Sequence, residues 1–262
     1  MAGSPKGYDV AMGRLGGATR AFSRDIGGMP VWALILSAVV AVGAIGAFSM
    51  ASAADGRSTA YTLPSDAATP QLPQPMPLVA FLGDSYTQGV GGGGVTWPDL
   101  VGKDHGWDIA NLALGGTGYL RTSDERGCGR PYCGRYIEAS QEIIGSPRII
   151  FVAGGRNDLR LETADIAAAA EHLFADLRER YPAAQLFVVN PWYDDDAPPA
   201  QLATVTTVVR AAAGGAGAVF LETGQPLEGE PDLIVDDGVH PNSDGYRALA
   251  AAVAEALEPH LE

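Results

Sequence analysis

From residue 78 onward the chain alternates short, unbroken apolar runs with longer amphipathic stretches, and this alternation restricts its fold more than any other feature. The apolar runs cover 78–82, 108–114, 148–153, 185–190 and 218–221 and read as strands. Segments 97–105, 136–144, 164–181, 199–213 and 243–257 carry helical periodicity between them. A strand that is apolar at every position, rather than every second one, is covered on both faces, as in parallel sheets. The repeated strand-then-helix order predicts a three-layer α/β/α sandwich around a mostly parallel five-stranded sheet.

Ligands of such sheets bind beyond the carboxyl ends of the strands. Four short signals are expected there: Gly83-Asp84-Ser85, Asn111-Leu112-Ala113-Leu114-Gly115-Gly116, Gly155-Arg156-Asn157-Asp158 and Asp237-Gly238-Val239-His240. Ser85 supplies a hydroxyl, which needs a base to become a nucleophile. The chain has four histidines. His105 sits at a helix end, His172 lies within a helix and His260 is near the last residue. His240 differs, because Asp237 three residues earlier can accept its imidazole N–H and fix the tautomer. Asp236 is adjacent and is the alternative acid. The Ser85 N–H, the Gly116 N–H and the Asn157 side-chain amide are candidate donors to a developing oxyanion. Singly, these read equally well as a turn serine, a turn glycine and a capping asparagine. Their joint occurrence points to acyl transfer.

Residues 89–94, Gly-Val-Gly-Gly-Gly-Gly, satisfy G-x-G-x-x-G on paper. A dinucleotide site needs those glycines directly between strand and helix, and Gly83 to Gln88 intervene. The tract is expected to form a flexible rim of the pocket. No P-loop and no H-E-x-x-H spacing occurs, so no cofactor and no metal is expected. Trp192, after the fourth strand, is weighed as a pocket wall against a packing residue.

The front of the chain is different. Residues 26–54 carry no charge and 31–48 are almost wholly apolar, with Lys6, Arg14, Arg20 and Arg24 ahead of them. A run near 18 residues can cross a bilayer, and the basic flank should stay inside. Ala51-Ser52-Ala53 is also a site of the kind signal peptidase cuts. The expected organisation is a basic cytoplasmic segment at 1–28, a transmembrane helix or signal peptide at 29–53, a Pro/Ala-rich linker at 54–77 and a catalytic domain at 78–262. Either reading of 29–53 places that domain outside the cytoplasm, secreted or anchored. An extended linker would reach roughly 75 Å at most.

Cys128 and Cys133 are the only cysteines, and in an exported chain they read as a disulfide closing a small loop. The chain carries 17 Lys+Arg against 31 Asp+Glu, a net charge of −14. Such a surface repels nucleic acid and anionic lipid, so membrane contact is expected only through the N-terminal segment. A monomer is expected.

On its four blocks the sequence resembles the SGNH hydrolases, the GDSL-type lipases and esterases, over about residues 78–257. The resemblance implies a flavodoxin-like sandwich of the SGNH type. It implies Ser85 as nucleophile, Asp237 and His240 as the rest of a triad, and Ser85, Gly116 and Asn157 as an oxyanion hole. The family's glycine four residues after the serine is present as Gly89. The further glycines at 91–94 and the cysteine-bearing loop 117–135 depart from the pattern. The expected activity is hydrolysis of a small-molecule or polysaccharide carboxylic ester through an acyl-enzyme. Small or carbohydrate-linked acyl groups are expected, because no long apolar lid segment is evident. The alternatives are an acyltransferase and a non-hydrolytic carbohydrate- or lipid-binding module on the same fold.

Overall fold

The computed structural model of the protein describes residues 75–261 and, ahead of them, two short strands. Asp25–Ile26 pairs antiparallel with Met29–Pro30. The rest of the readings made for 1–28, 29–53 and 54–77 lies outside the described residues, save 75–77. Among the described residues no helix is long and apolar enough to cross a membrane.

The domain from residue 75 onward holds five strands: β1 (Leu78–Gly83), β2 (Asp108–Asn111), β3 (Ile149–Ala153), β4 (Gln185–Val189) and β5 (Val219–Leu221). They lie in the order β2-β1-β3-β4-β5 and every pairing is parallel. The helices are α1 (Ser85–Gln88), α2 (Trp97–His105), α3 (Glu125–Cys128), α4 (Tyr136–Ser140), α5 (Thr163–Arg180), α6 (Ala200–Gly215) and α7 (Ser243–Leu257).

Alternation along the strands divides the core into two layers. Val79 and Phe81 of β1 pack with α2 and α7, while Ala80 and Leu82 pack with α4, α5 and α6. Both faces of the central strands β1, β3 and β4 are therefore dry, as their unbroken apolar runs require, whereas edge strand β2 has no fully buried residue. Phe81, Phe151 and Phe187 hold matching positions in β1, β3 and β4. Their rings stack in a file at 4.9 and 5.2 Å. Burying each contributes about 1.5–3 kcal/mol.

Two elements end earlier than their apolar patterns. β2 ends at Asn111, whose side chain donates to the Thr87 carbonyl (2.8 Å) and accepts from the Ala113 N–H (3.1 Å), although the Leu112 and Leu114 N–H groups still donate to the β1 carbonyls of Phe81 and Gly83 at 2.9 and 3.0 Å. α4 stops at Ser140 instead of running to 144. After it the backbone bonds tighten to i+3 spacing, the Gln141, Glu142 and Ile143 N–H groups donating to the Glu138, Ala139 and Ser140 carbonyls at 3.1, 3.1 and 3.3 Å, and the Ser140 carbonyl also accepts from the Arg180 guanidinium at 3.1 and 3.2 Å. Ile144 is left 88 % exposed. α1 and α3, of four residues each, are too short to show a period.

Candidate active site

Ser85 is placed by an elbow at the end of β1. Gly83 is closely confined: a Cβ there would lie 2.4 Å from Thr87 Oγ1 and 2.5 Å from the Ala153 carbonyl oxygen. Asp84 then caps α1, its Oδ1 accepting from the Tyr86 N–H at 3.0 Å. This sets Ser85 as the first residue of the helix, at the rim of the sheet. Each residue of the Gly-Asp-Ser block thus has a structural task.

His240 reaches the same rim from the loop before α7. Asn242 caps α7, accepting from the Asp244 and Gly245 N–H groups at 2.9 and 3.1 Å, which fixes where the loop ends. Asp237 Oδ2 lies 2.7 Å from His240 Nδ1. Its other oxygen accepts from the Val239 and His240 N–H groups at 2.8 and 2.9 Å. Burial raises the Asp237 pKa more than any one of these contacts lowers it, but the hydrogen bonds from His240 and Val239 together outweigh it and hold the carboxyl below its ordinary value. An ionised carboxylate only accepts, so Nδ1 carries the hydrogen and Nε2 keeps its lone pair. Asp236 makes no hydrogen bond to His240.

Two other loops close the opposite side. Gly116, at φ 72°, follows β2; a Cβ there would lie 2.5 Å from Ser123 Oγ. Asn157, after β3, donates to the Thr117 carbonyl at 2.9 Å, leaving one amide hydrogen for a ligand. Its neighbour Asp158 is buried and accepts from the N–H groups of Tyr119 (2.8 Å), Leu120 (3.1 Å) and Arg121 (2.8 Å). Burial raises the Asp158 pKa further than these bonds lower it. Asn157 and Asp158 together tie the loop bearing Gly116 to the end of β3.

A third set of contacts joins these parts. Arg156 Nη1 donates to the Tyr86 hydroxyl at 2.6 Å, and that hydroxyl donates to the Val239 carbonyl at 2.6 Å. Arg156 Nη2 pairs with buried Asp194 at 2.9 Å. The Tyr86 ring lies 6.2 Å from the His240 ring. Residues next to Ser85, Asn157 and His240 are thus linked through one phenol. Tyr86→Phe would leave the Val239 carbonyl and one Arg156 N–H without a partner, at a cost of about 1–3 kcal/mol of stability. It should lower kcat on an ester roughly 10- to 100-fold with little change in KM, as misplacement of the His240 loop requires. Full kcat in that variant would show that the phenol positions nothing.

Asp84 carries a second consequence. Full burial pushes its pKa from the ordinary 3.8 up to about 6, against the Tyr86 N–H bond and the Arg156 charge, which lower it. Between those two pH values the folded protein holds more protons than the unfolded chain. Stability should therefore fall as pH rises from about 4 to about 6, by about 3 kcal/mol, and then level off. Asparagine caps helices equally well. Asp84→Asn should remove this contribution from urea unfolding midpoints measured against pH, and an unchanged slope would refute it.

Ser85, Gly116, Asn157, Asp237 and His240 all line one cavity of about 1070 Å³. The structure therefore brings together the five residues anticipated for the triad and the oxyanion hole, while the alternative acid Asp236 and Trp192 do not line the cavity. Trp192 serves the core. That side chain is 3 % exposed, packs edge-on against Trp97 at 5.7 Å and donates to Thr223 Oγ1 at 2.8 Å. Its neighbour Tyr193 lines the cavity instead. The glycine tract is also not simply a rim. A Cβ at Gly91 would lie 2.7 Å from the Pro241 carbonyl oxygen, and one at Gly92 would lie 2.6 Å from the Tyr246 ring. These two glycines let the chain press against the His240 loop and α7. Cys128 and Cys133 are joined, with Cα atoms 6.5 Å apart. Tyr86, Arg156, Asp158 and Asp194 are site residues that pattern reading did not supply. Three of them stand inside or beside the blocks that it did find.

The profile of the GDSL-like lipase/acylhydrolase family matches residues 81–248. A GDSL lipase of Mycobacterium tuberculosis is 30% identical over 196 residues, spanning 70% of this chain and 82% of its own. A family-two carbohydrate esterase of Clostridium thermocellum, solved in complex with cellohexaose, shares the fold with a TM-score of 0.56. It is 16% identical, over 71% of this chain and 65% of its own. A protein of Slackia heliotrinireducens assigned to the SGNH hydrolases gives a TM-score of 0.52 at 18% identity, over 70% of this chain and 100% of its own. The chain belongs to the GDSL-like lipase/acylhydrolase family of hydrolases.

Proposed function

We propose that the protein is a serine esterase that cleaves carboxylic esters through Ser85, His240 and Asp237. The observation that carries this reading is the 2.7 Å contact of His240 Nδ1 with Asp237 Oδ2, beside the cavity that Ser85 also lines. Ser85 Oγ attacks the ester carbonyl carbon while His240 Nε2 takes its proton, and Asp237 stabilises the imidazolium. The Ser85 and Gly116 N–H groups and the free Asn157 amide hydrogen hold the oxyanion. Collapse of the tetrahedral species breaks the bond to the alcohol, which leaves with the proton from His240. Water, deprotonated by His240, then attacks the acyl-enzyme and releases the acid.

Small or carbohydrate-linked acyl groups are the substrates this reading favours. The cavity is lined more by polar and charged side chains than by aliphatic ones. Several proteins that share the fold are carbohydrate esterases, among them an acetyl xylan esterase of Butyrivibrio proteoclasticus. The reading includes a location outside the cytoplasm, which the disulfide and the apolar stretch at 29–53 support. Steady hydrolysis of p-nitrophenyl acetate by the full chain tests the reading. No turnover by the folded protein on that ester or on an acetylated oligosaccharide would overturn it.

A further inference from the structure

We propose that the cavity wall built by the loop 117–135 and Arg160 recognises negative charge, so that the natural substrate is an ester of an acidic glycan. This rests on the esterase reading for the reaction, but not for the binding. The chain is strongly acidic, yet four arginines, Arg121, Arg126, Arg156 and Arg160, line this one cavity. Arg156 is committed to Asp194 and Tyr86. The other three are exposed and make no ion pair among the described residues.

Only two carboxylates line the same cavity, and both already accept hydrogen bonds from the protein. Asp124 caps α3, accepting from the Arg126 N–H at 3.0 Å. Asp237 serves His240. A neutral ester would need no local reversal of the protein's charge. A substrate bearing carboxylates or phosphates would otherwise be repelled by it.

The wall also has an aromatic surface and a fixed shape. Tyr132 is 63 % exposed and lines the cavity with Tyr193, giving flat apolar faces beside the cationic groups. A sugar ring presents an apolar face to such a surface, and its charged substituents then meet guanidinium groups suited to bidentate contact. The loop is held by the Cys128–Cys133 disulfide and by reciprocal Ser123 and Cys133 backbone bonds of 2.9 Å. Asp158 anchors its first residues, including the Arg121 N–H.

The test compares the full wild-type chain with the triple variant Arg121→Gln, Arg126→Gln, Arg160→Gln. Three substrates are used: an acetylated oligogalacturonate, an acetylated xylo-oligosaccharide and p-nitrophenyl acetate. The wild type should favour the uronate about tenfold or more in kcat/KM at low salt, and raising the salt should shrink that margin. The triple variant should lose the margin while keeping its turnover of p-nitrophenyl acetate within about twofold. Equal treatment of acidic and neutral glycans by the wild type would overturn the proposal. An equal loss on all three substrates in the variant would do the same.

Calorimetry with unacetylated oligogalacturonate reads binding independently of turnover. Binding that disappears in the triple variant supports the proposal even if no ester is cleaved, whereas no binding by the wild type to this probe or to a phosphorylated oligosaccharide overturns it. Binding of the phosphorylated probe alone would support recognition of charge and identify phosphate as the group.

Discussion

Ser85→Ala should leave a folded protein whose ester turnover is about 10⁶-fold lower, and His240→Ala should do the same. Among the described residues the Ser85 side chain makes no hydrogen bond, so its removal strands no partner there and the elbow persists through Gly83 and the Asp84 cap. The two side chains act as a unit, since the hydroxyl is unreactive without a base and the base has nothing to activate without the hydroxyl. The double variant should therefore be no worse than either single one. p-Nitrophenyl acetate turnover, with circular dichroism to confirm folding, checks this. Additive losses would mean that the two residues act separately.

The second large effect is expected at Asp237. Asp237→Asn should fold and yet lose up to about 10⁴-fold in kcat. The asparagine oxygen can still accept from the Val239 and His240 N–H groups, so the loop should keep its course. The position facing Nδ1 changes: an amide nitrogen there would favour the tautomer with its hydrogen on Nε2, the wrong one for a base. An amide also cannot stabilise an imidazolium as a carboxylate does. The Asp237 side chain is 48 % exposed, so its field is screened by water, and orientation of the ring carries more of the effect than charge. Asp236→Asn should leave kcat near wild type. If kcat collapses in the Asp236 variant and survives in the Asp237 variant, the acid has been misassigned.

The layers, the strand order's parallel character and the four rim blocks were legible because the information is local. An unbroken apolar run such as 149–153 states that both faces are covered, and a block after it must lie at the sheet's carboxyl edge. Element ends were less legible because they are decided from a distance. Arg180, forty residues away, shares the Ser140 carbonyl at which α4 gives way to a tighter turn. The same holds for the site's supporting contacts. Tyr86 stands beside Ser85 in the chain, but its link to Val239 crosses 153 positions and leaves no spacing to read. Of the two readings weighed for Trp192 the packing one holds, since its side chain turns to the core while Tyr193 turns to the cavity.

The central claim, that Ser85 is the nucleophile of an acyl-enzyme cycle, is tested most directly by mass spectrometry of the full chain after a fluorophosphonate. The probe should add one phosphonyl group, displacing fluoride, on the peptide containing Ser85. The Ser85→Ala and His240→Ala variants should stay unmodified. Labelling of another residue in the wild type, or equal labelling of Ser85→Ala, would contradict the account.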